Sequence, residues 1–111
     1  MAVQGPIPEI DVEGLAPLLD SGIVLVDVRM PDEYDESHVA GAQLIPLPEL
    51  TERHGEIPDA DTVYVICKVG GRSMKACEFL AANGRDVVNV SGGTLAWIES
   101  GRPVLSGPER G

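Results

Sequence analysis

Cysteines, basic side chains and long apolar runs are all scarce in this sequence, and each scarcity excludes something. There are two cysteines in 111 residues, Cys67 and Cys77. Two are too few for a small secreted scaffold held by disulfides, so the thiols are expected to be reduced and the protein cytoplasmic. Lys and Arg number eight against eighteen Asp and Glu, a formal net charge of −10. Such a surface repels phosphate backbones and anionic lipid, so neither nucleic-acid nor membrane-surface binding is expected, and any anion site must be made locally. No apolar run approaches the roughly 20 residues of a membrane-spanning helix. The opening Met1-Ala2-Val3-Gln4-Gly5-Pro6 lacks the basic-then-apolar pattern of a secretory signal. The two histidines, His38 and His54, stand far in sequence from both cysteines, which does not suit a zinc site. Internal repeats and long low-complexity segments are absent too.

What remains is a globular composition, 43% apolar and 23% charged. A chain of this length makes one domain with a radius of gyration of about 13 Å. It buries roughly two thirds of its unfolded surface, enough for a core without metal or disulfide. The core is expected over residues 8 to 104, with loose tails at 1–6 and 106–111.

Four short apolar runs predict buried strands: Ile23 to Val28, Gln43 to Ile45, Thr62 to Cys67 and Val87 to Val90. They are rich in Val and Ile, and two are nearly continuous, the pattern of a sheet covered on both faces. A segment near Val3 to Ile7 would add an edge strand, against the grain of its prolines. Helices are predicted between the strands. Asp11 caps one that ends near Asp20 at Gly22, with Pro17 making it short or irregular. Pro31 opens an acidic turn through Glu36. Leu47 to His54 forms another, Arg72 to Asn83 the clearest, closed by Gly84, and Thr94 to Glu99 the last, stopped by Gly101 and Pro103. Strands alternating with helices predict an α/β domain with a mostly parallel sheet of four to five strands and helices on both faces. Ligands in such sheets sit beyond the carboxyl ends of the strands.

One such end carries the chemistry. In Val63-Tyr64-Val65-Ile66-Cys67-Lys68-Val69-Gly70-Gly71-Arg72-Ser73-Met74 a buried strand ends in a thiol, and a loop with two glycines leads into a helix. A free thiol is only a few per cent ionised at neutral pH, and the thiolate is the nucleophile. The N–H groups and partial positive charge of a helix N-terminus favour that thiolate. Gly70 and Gly71 permit the positive φ that lets successive amides converge on one anion. Lys68, Arg72 and Lys75 concentrate three of the eight basic side chains in eight residues. The bland alternative is a small buried cysteine beside a tight glycine turn. Cys77, spaced with Ser73 and Leu80 along one helix face, reads as core; its sharper alternative is a resolving thiol for Cys67.

Cys67-Lys68-Val69-Gly70-Gly71-Arg72-Ser73 resembles the active-site loop of the rhodanese sulfurtransferases, Cys-x-x-Gly-x-Arg-Ser. The stretch Val26-Asp27-Val28-Arg29-Met30-Pro31-Asp32-Glu33-Tyr34, with His38-Val39-Ala40-Gly41-Ala42 and Ile45-Pro46-Leu47, is similar to that family's N-terminal signature. Gly92-Gly93-Thr94-Leu95-Ala96-Trp97 is similar to its C-terminal one. Ser37 stands where glycine is usual, and Val69 where a basic or small polar residue is common. The resemblance covers about residues 8 to 104 and implies a single rhodanese-like three-layer domain.

It also implies covalent catalysis in two steps with ping-pong kinetics. Cys67 takes the outer sulfur of a small donor such as thiosulfate as a persulfide, and a thiol, a protein acceptor or cyanide removes it. On this reading residues 68 to 73, namely Lys68, Val69, Gly70, Gly71, Arg72 and Ser73, bind the substrate and the transferred sulfur. Arg72 and Lys68 would hold a donor's sulfonate. Lys68 also reads as a solvated lysine and Arg72 as a loop brace. No metal or organic cofactor is implied, and no oligomeric state. The remaining signature residues read as scaffold: Asp27 accepting loop N–H groups, Arg29 pairing with Glu33, His38 hydrogen-bonded, His54 exposed, Gly92 and Gly93 in a tight turn, Trp97 filling the core. Two alternatives stay open. A cysteine-dependent phosphatase or arsenate reductase uses Cys-x5-Arg, whereas here four residues separate Cys67 from Arg72. A non-catalytic interaction module would not need the cysteine.

Overall fold

The computed structural model describes residues 6–111. Five parallel strands form one sheet: β1 (Glu9–Ile10), β2 (Val24–Asp27), β3 (Gln43–Leu44), β4 (Val63–Ile66) and β5 (Val87–Val90), in the order β1-β5-β4-β2-β3. The helices are α1 (Val12–Leu19), α2 (Pro31–Glu36), α3 (Leu50–Arg53), α4 (Gly71–Ala82) and α5 (Gly93–Glu99). The α/β prediction therefore holds, with every strand pair parallel.

Alternate side chains of the central strands divide the core in two, as the pleat requires. Val26, Val63, Val65, Cys67 and Val87 face α3 and α4, packing on Leu50, Ala76, Cys77 and Leu80. Leu25, Ile66 and Val90 face the other way, onto Val12 and Leu15 of α1, Tyr34 of α2 and Trp97 of α5. Both faces are covered, which is why these strands read as continuous apolar runs.

Several boundaries differ from the expectation. Of the edge strand expected at Val3–Ile7, residues 3–5 lie outside the described residues, and pairing begins only beyond Pro8. The Pro8 carbonyl accepts the Asn89 amide at 2.9 Å, and Glu9 and Ile10 then join β5. Pro6 and Pro8 have no N–H to give a ladder. The helix expected over Leu47–His54 is broken into a 3-10 turn at Leu47–Glu49, the short α3, and a second 3-10 turn at His54–Glu56. Pro48 cannot donate an i→i−4 bond there. Pro17 is accommodated inside α1, whose start is capped by Asp11 accepting the Gly14 amide at 2.8 Å.

The C-terminal residues are docked rather than loose. Leu105 pairs with His38 in an antiparallel bridge, Ser106 Oγ donates to Glu36 O, and Gly107 N to Asp35 O. His38 is fully buried, stacks on Tyr34 with ring centroids 3.6 Å apart, and places its ring nitrogens on Tyr34 O and Glu109 O. The structural role expected for His38 is borne out. His54 is not exposed: it is half-buried, edge-on against Phe79. Trp97 fills the core as expected, and its Nε1 donates to Pro103 O.

Arg29 does not pair with the Glu33 carboxylate as expected. Its guanidinium lies on Asp27, with Nη2 donating to Oδ2 at 2.8 Å and Nε to Oδ1 at 3.0 Å. It also donates to the main-chain carbonyls of Ser37 and Glu33. Asp27, expected to accept N–H groups, takes the Arg29 amide as well. Asp27 is fully buried and Arg29 nearly so. The pair ties α2 to the end of β2, and its desolvation cost is offset only because each ion has several partners. Replacing Asp27 by Ala strands a buried guanidinium. Urea denaturation of Asp27→Ala is expected to show a loss of about 3–5 kcal/mol, and a loss under about 1 kcal/mol would contradict this role.

Candidate active site

Cys67 follows β4 at the carboxyl edge of the sheet, where a parallel α/β sheet leaves its crevice. The chain then turns through Lys68, Val69 and Gly70 into α4. Gly70 alone adopts the left-handed conformation here, at φ 118°. The expectation that Gly71 shares it fails, because Gly71 is already the first residue of α4. A single left-handed residue suffices to swing the Gly70 amide back onto the thiol, 3.1 Å from Sγ. Ser73, fully buried on the first turn of α4, sets its Oγ 3.2 Å from Sγ and 3.2 Å from Gly70 O. It has one proton to give, and an ionised sulfur is the stronger acceptor.

Cys67 is 1% exposed, so its ionisation is a contest. Burial pushes the thiol up. The Ser73 hydroxyl and the amides of Ser73, Gly70 and Val69 push it down, and together they win: the thiol is held below its ordinary value. Cys77 has no such donors. Burial pushes it up to about 12, so it stays a protonated core residue, as its spacing predicted. Both cysteines are free.

The loop is braced from beneath by a feature the sequence reading assigned only to a turn. At the start of α5 the amides of Thr94 and Leu95 donate to the carbonyls of Cys67 and Lys68 at 2.8 and 3.0 Å, and Thr94 Oγ1 adds a bond to Cys67 O at 3.1 Å. The peptide group pinned at Lys68 O carries the Val69 amide, one of the donors that lower the thiol. Gly93 makes this possible: with φ at 59°, a Cβ there would lie 2.4 Å from Lys68 O. A second brace was missed altogether. Asn89 of β5 is buried, and its Nδ2 donates to Glu9 Oε2 at 2.8 Å and approaches Gly70 O at 3.3 Å. The opposite amide orientation would set Oδ1 against two acceptors. The register Val65↔Asn89 placed Asn89 beside the β4 residue two before Cys67, but strand order was needed to see it.

The basic cluster dissolves on inspection. Lys68 and Lys75 are exposed. Arg72 turns to α2, where Nη1 and Nη2 donate to Glu33 Oε1 and Oε2 at 2.7 and 2.9 Å. That bidentate bond holds the Glu33 carboxyl down to about 2. Val69 is the most exposed large apolar residue of the loop. A cavity of about 220 Å³ opens beside the loop between α2 and α5, walled by Lys68, Glu33, Thr94 and Leu95 among others; Cys67 is not in its wall. Among the described residues no cluster of three or more His, Cys, Asp or Glu side chains is placed to hold a metal ion.

Ser73 is the strongest of the donors that lower the thiol. In Ser73→Ala the pH midpoint of Cys67 alkylation is expected to move upward, because the thiolate loses its hydroxyl partner while burial is unchanged. An unmoved midpoint would show that the amides alone hold the charge.

Comparison with known proteins places this arrangement. The rhodanese-like domain family matches residues 11–100. The chain is 34% identical over 103 residues to a sulfurtransferase of Allochromatium vinosum, covering 90% of this chain and 96% of that protein. It is 33% identical over 113 residues to thiosulfate sulfurtransferase 18 of Arabidopsis thaliana, covering 88% and 83%. A rhodanese-related protein from Thermoplasma volcanium superposes with a TM-score of 0.83 at 35% identity, over 88% of this chain and 97% of that one. A match over most of the chain, in sequence and in fold, makes this protein a member of the rhodanese-like sulfurtransferase family.

Proposed function

We propose that this domain transfers sulfane sulfur through a persulfide on Cys67, taking it from thiosulfate or a related donor and passing it to a thiol or to cyanide. The observation that carries the reading is the Gly70 amide and the Ser73 hydroxyl at 3.1 and 3.2 Å from the Cys67 sulfur. Donors so placed favour an anion at that point, first the thiolate and then the outer sulfur that replaces it. The names of the Allochromatium and Arabidopsis relatives support the reaction class.

The step with thiosulfate is a displacement at sulfur. The Cys67 thiolate forms an S–S bond to the outer sulfur, the bond from that sulfur to the sulfonate breaks, and sulfite leaves with the electron pair. The acceptor repeats the displacement on the outer sulfur and returns the thiolate. The Val69 amide costs little reorganisation at the moment of reaction, since the Leu95 amide already holds the Lys68 carbonyl of the same peptide group, and Ser73 lies in the first turn of α4. Phosphoryl transfer draws no support from the geometry. Arg72 is engaged by Glu33, and the position six residues after Cys67 is Ser73.

Incubation with excess thiosulfate is expected to add the mass of one sulfur atom to the wild-type chain and to Cys77→Ala, and none to Cys67→Ala. Intact-protein mass spectrometry reads this directly. Sulfur found on Cys77 instead would overturn the assignment.

A further inference from the structure

Arg72 is the side chain that the loop motif offers to a donor's charged end, and Glu33 engages it. The bond is bidentate, and both side chains are part-buried. The Met30 amide also donates to Glu33 Oε1 at 3.0 Å. Moving the carboxylate aside therefore breaks three hydrogen bonds together. Arg29, the guanidinium in the cavity wall, is engaged by Asp27. The exposed charges left at the cavity are Lys68 and Glu36, one of each sign.

Four large apolar side chains are exposed among the described residues: Met30 at 43%, Val69 at 58%, Leu95 at 39% and Ile98 at 43%. Leu95 and Ile98 wall the cavity beside the loop, and Met30 is tied to it only through its main-chain amide. Val69 is part of the loop, and the Met30 amide shares the Glu33 carboxylate with Arg72. The Leu95 amide binds Lys68 O, and Ile98 shares the cavity with both. A compact dianion gives up much hydration on entering such a mouth and finds its guanidinium already paired. A donor with a single charge and an apolar body loses less water and gains contact with the rim.

We propose that Glu33 is a specificity-determining residue: by holding Arg72 it withdraws that guanidinium from the substrate, so that the preferred donor is a singly charged organic sulfane-sulfur compound rather than inorganic thiosulfate. The proposal rests on the reading of Cys67 as the sulfur acceptor. For an organic thiosulfonate, R–SO2–S⁻, the thiolate bonds to the terminal sulfur and the bond from that sulfur to the sulfonyl group breaks. The sulfinate R–SO2⁻ leaves with the electron pair and Cys67 keeps S–S⁻. Total charge is −2 before and after, and neither oxidant nor reductant is consumed. The same displacement on thiosulfate expels dianionic sulfite, which is where a free guanidinium would matter most.

The test compares benzenethiosulfonate with thiosulfate, donors alike at the reacting sulfur and different by one charge and one ring. The readout is the ratio of their kcat/KM values on the same protein sample, which cancels any loss of folded fraction. Wild type is expected to favour benzenethiosulfonate. In Glu33→Gln, which keeps the side-chain shape but frees the Arg72 charge, the ratio is expected to fall about tenfold, the effect of one unit charge a few ångströms away. Glu33→Gln combined with Arg72→Gln is expected to restore the wild-type ratio. A wild type that favours thiosulfate, a ratio unchanged in Glu33→Gln, or a fall that persists in the double variant would overturn the donor-class proposal while leaving the persulfide reading intact. Failure of both donors to load sulfur on Cys67 would overturn the two together.

Discussion

A buried anion must be solvated by the protein or it will not exist, and this site is organised around that demand. Cys67 is removed from water almost completely. Left alone, its thiol would behave like that of Cys77, pushed up and inert. What separates the two sulfurs is a handful of donors: one hydroxyl and three amides at the mouth of α4. Each is worth little in water and far more where water is excluded.

The loop that carries those donors is held from the other side. The carbonyls of Cys67 and Lys68 are bound by the first amides of α5, and the Gly70 carbonyl by Asn89, Ser73 and the Met74 amide. A peptide plane pinned at its oxygen has a fixed N–H direction. The loop is thus braced by β5 and α5 as well as by the first turn of α4. Across the mouth, α2 is fastened twice, by Arg29 on Asp27 and by Glu33 on Arg72.

Much of this was legible in the sequence. The Val- and Ile-rich runs placed β2 to β5 to within two residues, because fully buried parallel strands need apolar side chains on both faces. The helix α4 announced itself by its glycines, and Cys67 by its position between strand and helix. Partner choice among charged side chains was not legible. Arg29 had Asp27 and Glu33 within reach in sequence, and only the turn of α2 decides between them. Arg72 and Glu33 stand thirty-nine residues apart, a contact that local pattern cannot supply. Asn89 looked like any strand polar residue until the order β1-β5-β4 set it beside the loop. The docked C-terminus escaped notice because its bonds are main-chain ones, which composition does not reveal.

Cys77 has a consequence beyond filling space. A domain carrying two thiols in one apolar layer runs the risk of discharging any acquired sulfur internally, closing a ring and expelling sulfide. With its proton bound until about pH 12 and no hydrogen-bond donor to help it ionise, Cys77 is a poor attacker at neutral pH. On the persulfide reading proposed above, the lifetime of sulfur on Cys67 would be set from outside, by whichever molecule reaches the entrance, and the fold would serve as an insulated terminal instead of a closed circuit.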